Sequence, residues 1–284
     1  MTFLILGTSG LQGGAVAREL VQRGAKVRAL TRNTRSQKAR DLEALGIETV
    51  TGDLNVHSSL DHAFEGVAGL FSVQDFYAPG VGLLGEIEQA RTTISLAKKH
   101  GVQHVVQSSM GDGHEMGGPA HFLSKARIEQ DRKKSGLSWT LLGTVWFMDN
   151  LKNPAMKPHL MFPVLSGSLQ AETPFHMLAV EDLGRAAADA LLNRERWNAQ
   201  KINLAGDVMT VPQMKAAYRA VKGRRPKAWS LPSWAFKRMV PEFAAQLAWH
   251  NDVNFAFGPE ELRDMGHLPV GFADFLSRNE IAAM

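Results

Sequence analysis

The sequence predicts an α/β protein built on a doubly wound parallel sheet, with a smaller, mainly helical lobe toward the C-terminus. Three observations carry that expectation. Short apolar runs alternate with longer stretches of helical period through the first half, the pattern of parallel strands covered on both faces. A glycine loop, Gly7-Thr8-Ser9-Gly10-Leu11-Gln12-Gly13, follows the first apolar run directly. Gly24, Gly46, Gly66, Gly101 and Gly136 each stand just past a helical stretch, where a left-handed cap favours glycine.

In chain order, strands are expected near Phe3–Leu6, Lys26–Thr31, Glu48–Thr51, Gly69–Ser72, His104–Ser108 and Trp139–Leu142. Helices are expected between them, near Gln12–Arg23, Ser36–Leu45, Ser58–Phe64, Leu84–His100 and Ser124–Ser135. After about Asn150 the rhythm changes. Pro154, Pro158, Pro163 and Pro174 break any long element, and the region reads as a substrate lobe. A helix near Glu181–Asn193 and a strand at Lys201–Leu204 rejoin the main sheet, and the rest, with Trp229, Trp234 and Trp249, reads as helices. The expected division is therefore 1–150 with 176–206 as a Rossmann-type domain, and 151–175 with 207–284 as the lobe.

Composition narrows the function classes. The 284 residues carry 32 basic and 28 acidic side chains, a net charge of +4, with one basic cluster at Gly223-Arg224-Arg225-Pro226-Lys227. So mild a balance does not suggest a nucleic-acid partner. The chain has no cysteine, which excludes disulfides, thiolate metal sites and thiol redox chemistry and fits a reducing compartment. Met1–Leu6 lacks a basic leader and runs into the glycine loop, and no apolar stretch approaches the roughly 20 residues a membrane helix needs. A cytoplasmic protein with no membrane partner is expected.

The glycine loop sits where a strand gives way to a helix, the context of a phosphate site. Gly7 permits the tight turn, Gly10 lets the backbone approach a pyrophosphate, and Gly13 lets the helix pack on its strand. Thr8, Ser9, Leu11 and Gln12 complete the cradle, for which the bland alternative is a simple strand-to-helix turn. The second strand ends Thr31-Arg32-Asn33, with no carboxylate for a ribose 2′-hydroxyl. Arg32 and Arg35 suit a 2′-phosphate instead, so the expected cofactor is NADP(H); as a solvated helix entry they would mean nothing. Asp53 and Leu54, after the third strand, are placed to bracket the adenine, although Asp53 could instead cap a turn.

Gly7 to Ala17, Val27-Arg28 with Thr31-Arg32-Asn33, Gly52-Asp53, His121-Phe122 with Lys125, Phe147-Met148-Asp149-Asn150-Leu151 and Val180-Glu181-Asp182-Leu183-Gly184 together resemble the NmrA-like family of atypical short-chain dehydrogenases/reductases. Pro174-Phe175-His176-Met177 extends the resemblance over most of the chain. It implies a Rossmann domain with a small C-terminal lobe and NADP preference. Members are either reductases or NADP-sensing regulators.

Typical short-chain reductases use a Tyr-x-x-x-Lys pair, and at the matching place this chain reads His121-Phe122-Leu123-Ser124-Lys125. Lys125 is expected on the nicotinamide ribose and, with His121, in the catalytic set. His121 either serves as general acid or is a packed helix-start residue. Ser108, ending the fifth strand, is expected beside the cofactor, where it and Ser109 could hydrogen-bond a substrate carbonyl; both could instead cap the strand end, the reading favoured for Ser109. Phe76, Tyr77, Trp146, Phe147 and Phe162 would wall a flat apolar acceptor, or simply fill the core.

His114, His121 and His176 match no metal-ligand spacing, and no metal is expected. The leading expectation is an NADPH-dependent reductase of quinones or other activated carbonyl, enone or imine compounds. Its alternative is a non-catalytic NADP(H) sensor that binds a protein partner. A homodimer is compatible with the sequence.

Overall fold

The computed structural model describes residues 1–112, 118–224, 238, 241–253 and 255–278. His114, Trp229, Trp234 and the Arg225-Pro226-Lys227 part of the basic cluster lie outside the described residues. The chain divides into two compact units. The first comprises Met1–Met110, His121–Gly143 and Leu183–Ile202.

Its elements run β1 (Thr2–Ile5), α1 (Leu11–Gln22), β2 (Lys26–Thr31), α2 (Gln37–Ala44), β3 (Glu48–Thr51), β4 (Val67–Ser72), α3 (Gly82–Lys99), β5 (His104–Met110), α4 (Ala120–Lys133) and β6 (Trp139–Thr144). With β9 (Gln200–Asn203) these strands form a seven-stranded sheet of order β3-β2-β1-β4-β5-β6-β9. β1 pairs in parallel with both β2 and β4, and the chain order reverses between those neighbours. Such a reversal opens the crevice where doubly wound sheets bind ligands.

Alternation along β1 explains why both faces are covered. Leu4 and Leu6 join Leu70, Phe64, Ala97 and Val105 in one apolar cluster with α3. Phe3 turns to the other face, where a Cβ on Gly69 would stand 2.8 Å from its ring and 3.2 Å from Leu191 of α6 (Val180–Leu192). α3 and α4 lie together, joined by Ile87, Ala90 and Ile128 and by an Arg91–Asp131 ion pair at 2.8 Å.

The five punctuating glycines all take positive φ, between 66° and 80°. The expected helix at Ser58–Phe64 is instead two 3₁₀ turns, His57–Ser59 and Asp61–Phe64. Ser59 explains the difference, since its hydroxyl donates to the Val56 carbonyl at 2.6 Å and so supports a turn rather than a helix.

The second unit comprises Gly111–Ala120, Thr144–Asp182 and Asn203–Met284. It contains a three-stranded sheet, β10-β8-β7, from Asp207–Met209, Phe175–Leu178 and Trp146–Phe147. The expected boundary needs correction here, because Phe175–Leu178 pairs within this sheet and only 183–202 belong to the first unit. Pro163 does not end its element either. It lies inside α5 (Pro158–Ser168), whose Met161, Phe162 and Leu165 are buried in the unit's apolar core. Asp149 and Asp182 hold this unit's backbone, accepting from the N–H groups of Val180 at 2.8 Å and Val270 at 3.0 Å.

Candidate functional site

β1 ends in a loop that turns at Gly7, φ +65°, and enters α1 through Gly10 in an extended conformation. No side chain caps this helix and no acidic residue lies in its first turn, which leaves its leading N–H groups and positive dipole end to an anion. A Cβ on Gly13 would press on the Leu6 carbonyl oxygen and lie 2.5 Å from the Gly7 carbonyl carbon. A Cβ on Gly10 would meet only the Gly7 oxygen, at 3.3 Å. Thr8 is 4% exposed, and its hydroxyl has no hydrogen-bond partner among the described residues. A phosphate oxygen would satisfy that hydroxyl, so the loop fits the pyrophosphate of a dinucleotide.

Gln12 is fixed by Ser108 of β5, whose hydroxyl donates to its side-chain oxygen at 2.6 Å. Ser109 instead donates to buried Glu129 at 2.6 Å. Arg32 and Arg35, beyond β2, are exposed, and neither guanidinium has a partner among the described residues. Lys38 joins them, its ammonium 3.3 Å from the Ser9 carbonyl oxygen. Nothing in the sequence pattern singled it out, because α2 is what returns it to the glycine loop. Asp53 accepts from the Asn55 N–H at 2.9 Å, an Asx turn that uses one carboxylate oxygen, and Leu54 packs half-buried against the sheet core.

Across the crevice, α4 presents His121 and, one turn on, Lys125. The Lys125 ammonium is 2.7 Å from an oxygen of Glu86, a fully buried carboxylate on α3 that also accepts from Ser124. Glu86 was not expected from the sequence, since the pairing joins two helices 39 residues apart. An ammonium carries three donors, so two remain beyond Glu86.

The connection after β4 carries Phe76 and Tyr77. Buried Gln74 anchors it, donating to Ser72 at 2.9 Å and accepting from Gln107 at 3.1 Å, which in turn accepts from wholly buried Arg132 at 3.1 Å. Burial pulls the Arg132 guanidinium down to about 9. The Tyr77 hydroxyl lies 3.3 Å from Nδ1 of His121, and the Phe76 and Phe122 rings flank the same imidazole at 5.7 and 4.5 Å. Sequence spacing alone did not show this tyrosine–histidine pair.

The other expected wall residues belong to the second unit. Trp146 and Phe162 are 6% and 2% exposed within its core, Trp146 against Phe175 and Phe162 against Tyr218, whereas Phe147 is half-buried. His176 is buried there too and bonded to the Phe257 carbonyl at 2.9 Å, and burial lowers its proton affinity.

Comparison with known proteins agrees with this architecture. The chain is 30% identical over 262 residues to the NmrA-like family domain-containing oxidoreductase FrzB of Cladobotryum, spanning 82% of this chain and 78% of that one. It is 26% identical over 226 residues to an NAD(P)H azoreductase of Xenophilus azovorans, spanning 78% and 74%. Among solved structures, it superposes on NmrA, a negative transcriptional regulator in complex with NADP, with a TM-score of 0.77 at 20% identity over 97% of this chain and 94% of that one. It superposes on the Citrobacter triphenylmethane reductase complexed with NADP(H) with a TM-score of 0.78 at 18% identity over 98% and 99%. The NmrA-like family model matches residues 1–258, and the chain belongs to that family.

Proposed function

We propose that this protein is an NADPH-dependent reductase of quinones or similarly activated carbonyl, enone, imine or azo compounds. The single observation that carries the cofactor half is the end of β2. Arg32 and Arg35 stand there without partners among the described residues, Lys38 reaches the glycine loop, and no carboxylate occupies the ribose position. Reduced nicotinamide, when bound, supplies a hydride.

The chain's own residues do the rest. The uncapped start of α1 and the Thr8 hydroxyl hold the pyrophosphate, and the cations beyond β2 hold the 2′-phosphate. Lys125, steadied by Glu86, donates to the nicotinamide ribose, and Ser108 keeps Gln12 in place at the mouth of the loop. The kinship with an azoreductase and with a family of named oxidoreductases supports turnover rather than binding alone.

A second reading, an NADP(H) sensor acting through a protein partner, draws on His121 standing where the usual tyrosine would be. NADPH oxidation against a panel of quinones, enones, imines and azo dyes separates the two. Turnover of any acceptor supports the reductase, whereas tight NADPH binding with no turnover supports the sensor.

A further inference from the structure

We infer that Tyr77, hydrogen-bonded to His121, is the hydroxyl that protonates the reduced substrate, in place of the tyrosine absent from position 121. This inference rests on the reductase reading.

The serine hydroxyls of β5 and α4 are committed, and so is one of the three Lys125 donors. Ser108 gives its proton to Gln12 and Ser109 gives its own to Glu129, while Ser124 and Lys125 both donate to Glu86. Tyr77 is 63% exposed, so a substrate can reach its oxygen. It is nevertheless held in place. Its N–H donates to the Asp75 side chain at 3.0 Å, the Gly82 N–H donates to the Phe76 carbonyl at 3.2 Å, and Gln74 ties the segment to the buried polar chain that ends at Arg132. His121 sits behind the phenol with Nδ1 at 3.3 Å.

Hydride from the reduced nicotinamide forms the new bond at the electrophilic atom of the substrate, and the displaced π pair moves to the conjugated oxygen or nitrogen. The Oη–H bond of Tyr77 breaks as that heteroatom gains its proton. The phenolate then takes the Nδ1 proton of His121 as the Nε2 of the same ring takes one from water, so the imidazole stays neutral. Each turnover consumes one hydride and one solvent proton.

A quinone stabilises the resulting anion by itself, whereas a simple enone does not, so the two acceptors depend on Tyr77 to different degrees. Delivery of a proton by a placed general acid is worth about 10²–10⁴ in rate.

The test compares wild type, Tyr77→Phe and His121→Gln with 2-cyclohexenone and 1,4-benzoquinone as acceptors. It adds NADPH titration and the ¹⁵N imidazole signal of His121 in the cofactor-free protein. Tyr77→Phe is expected to slow cyclohexenone turnover by about 10²–10⁴ and benzoquinone turnover by less than about tenfold. NADPH affinity should stay within about twofold, because Tyr77 is outside the phosphate cradle. The Nδ1 signal of His121 should move when the phenol is removed, and His121→Gln should slow the enone selectively. Equal losses on both acceptors, an enone rate that ignores Tyr77→Phe, a wild type that reduces benzoquinone alone, or an unmoved imidazole signal overturns the assignment and leaves the reductase standing. A wild type that binds NADPH and reduces no acceptor overturns both.

Discussion

Replacing Gly13 and Gly10 separately by alanine should divide the glycine loop into its two jobs. At Gly13 the new methyl would press on the Leu6 oxygen and come within 2.5 and 2.6 Å of the Gly7 carbonyl carbon and oxygen, all backbone atoms. Backbone cannot swing aside as a side chain can, so α1 must lift from β1. Forcing a group into a packed site costs about 1–3 kcal/mol and occasionally more, and the upper end applies where backbone is struck on several sides. At about 2–4 °C per kcal/mol for chains of this general size, Gly13→Ala should lower the melting temperature by about 6–12 °C. At Gly10 the backbone is extended, φ −101° and ψ −177°, and the methyl meets only the Gly7 oxygen at 3.3 Å. A shift of a few tenths of an ångström absorbs it, and the stability loss should stay near 1 kcal/mol, the scale of a poorer helix cap. The same methyl would stand where a pyrophosphate approaches the chain, so NADPH affinity should fall at least about tenfold, equivalent to about 1.4 kcal/mol. Thermal melts without cofactor and calorimetric titration with NADPH measure both. A Gly13→Ala protein that melts like wild type, or a Gly10→Ala protein that binds like wild type, refutes the assignment of roles.

Wild type should bind NADPH more tightly than NADH, and Arg32→Ala and Lys38→Ala should each narrow that preference; equal affinities of the wild type for the two cofactors would count against the phosphate site. Lys125→Ala should weaken NADPH binding and also cost about 3–5 kcal/mol, because Glu86 is left as a buried charge without its cation. Combining Lys125→Met with Glu86→Gln should recover most of that stability but not the affinity, and melts compared with titrations decide it. His104, 1% exposed and bonded to Ser138 and Thr140, is pushed by burial, and secondarily by the Arg194 charge, from 6.5 down to about 4. Between those values the unfolded chain takes up the proton and the fold does not. Its contribution is therefore complete above about pH 6.5 and is lost as the pH falls to about 4, roughly 3 kcal/mol in all, and urea melts of His104→Gln should lack that slope.

Much of the fold was legible because it is written locally. Apolar runs marked the strands of the main sheet within a few residues, and glycines such as Gly24 and Gly136 marked helix ends through the backbone sign they permit. The three-stranded sheet was not legible. Its strands are two to four residues long, too short for alternation to register, and prolines surround them. In the site, the glycine loop and the ends of β2 and β5 could be read because each follows directly from a strand end. Lys38, Glu86 and the Tyr77–His121 pair could not, since each depends on helices or loops brought together across tens of residues. Burial was equally hidden for Trp146 and Phe162, whose aromatic rings look the same in sequence whether they line a pocket or fill a core.

Helix α1 touches its neighbours at backbone distance on two sides. Gly13 brings it onto β1, and Gly184 of α6 comes so near that a Cβ there would stand 3.0 Å from the Ala15 oxygen and 3.1 Å from its carbonyl carbon. A helix held at backbone distance by two glycines is fixed against both neighbours, so the N–H groups at its start are already in place before any ligand arrives. The ordering cost that a mobile loop would subtract from affinity is then largely met during folding. Hydrogen exchange of the α1 amides should accordingly be slow in the cofactor-free protein and change little when NADPH is added.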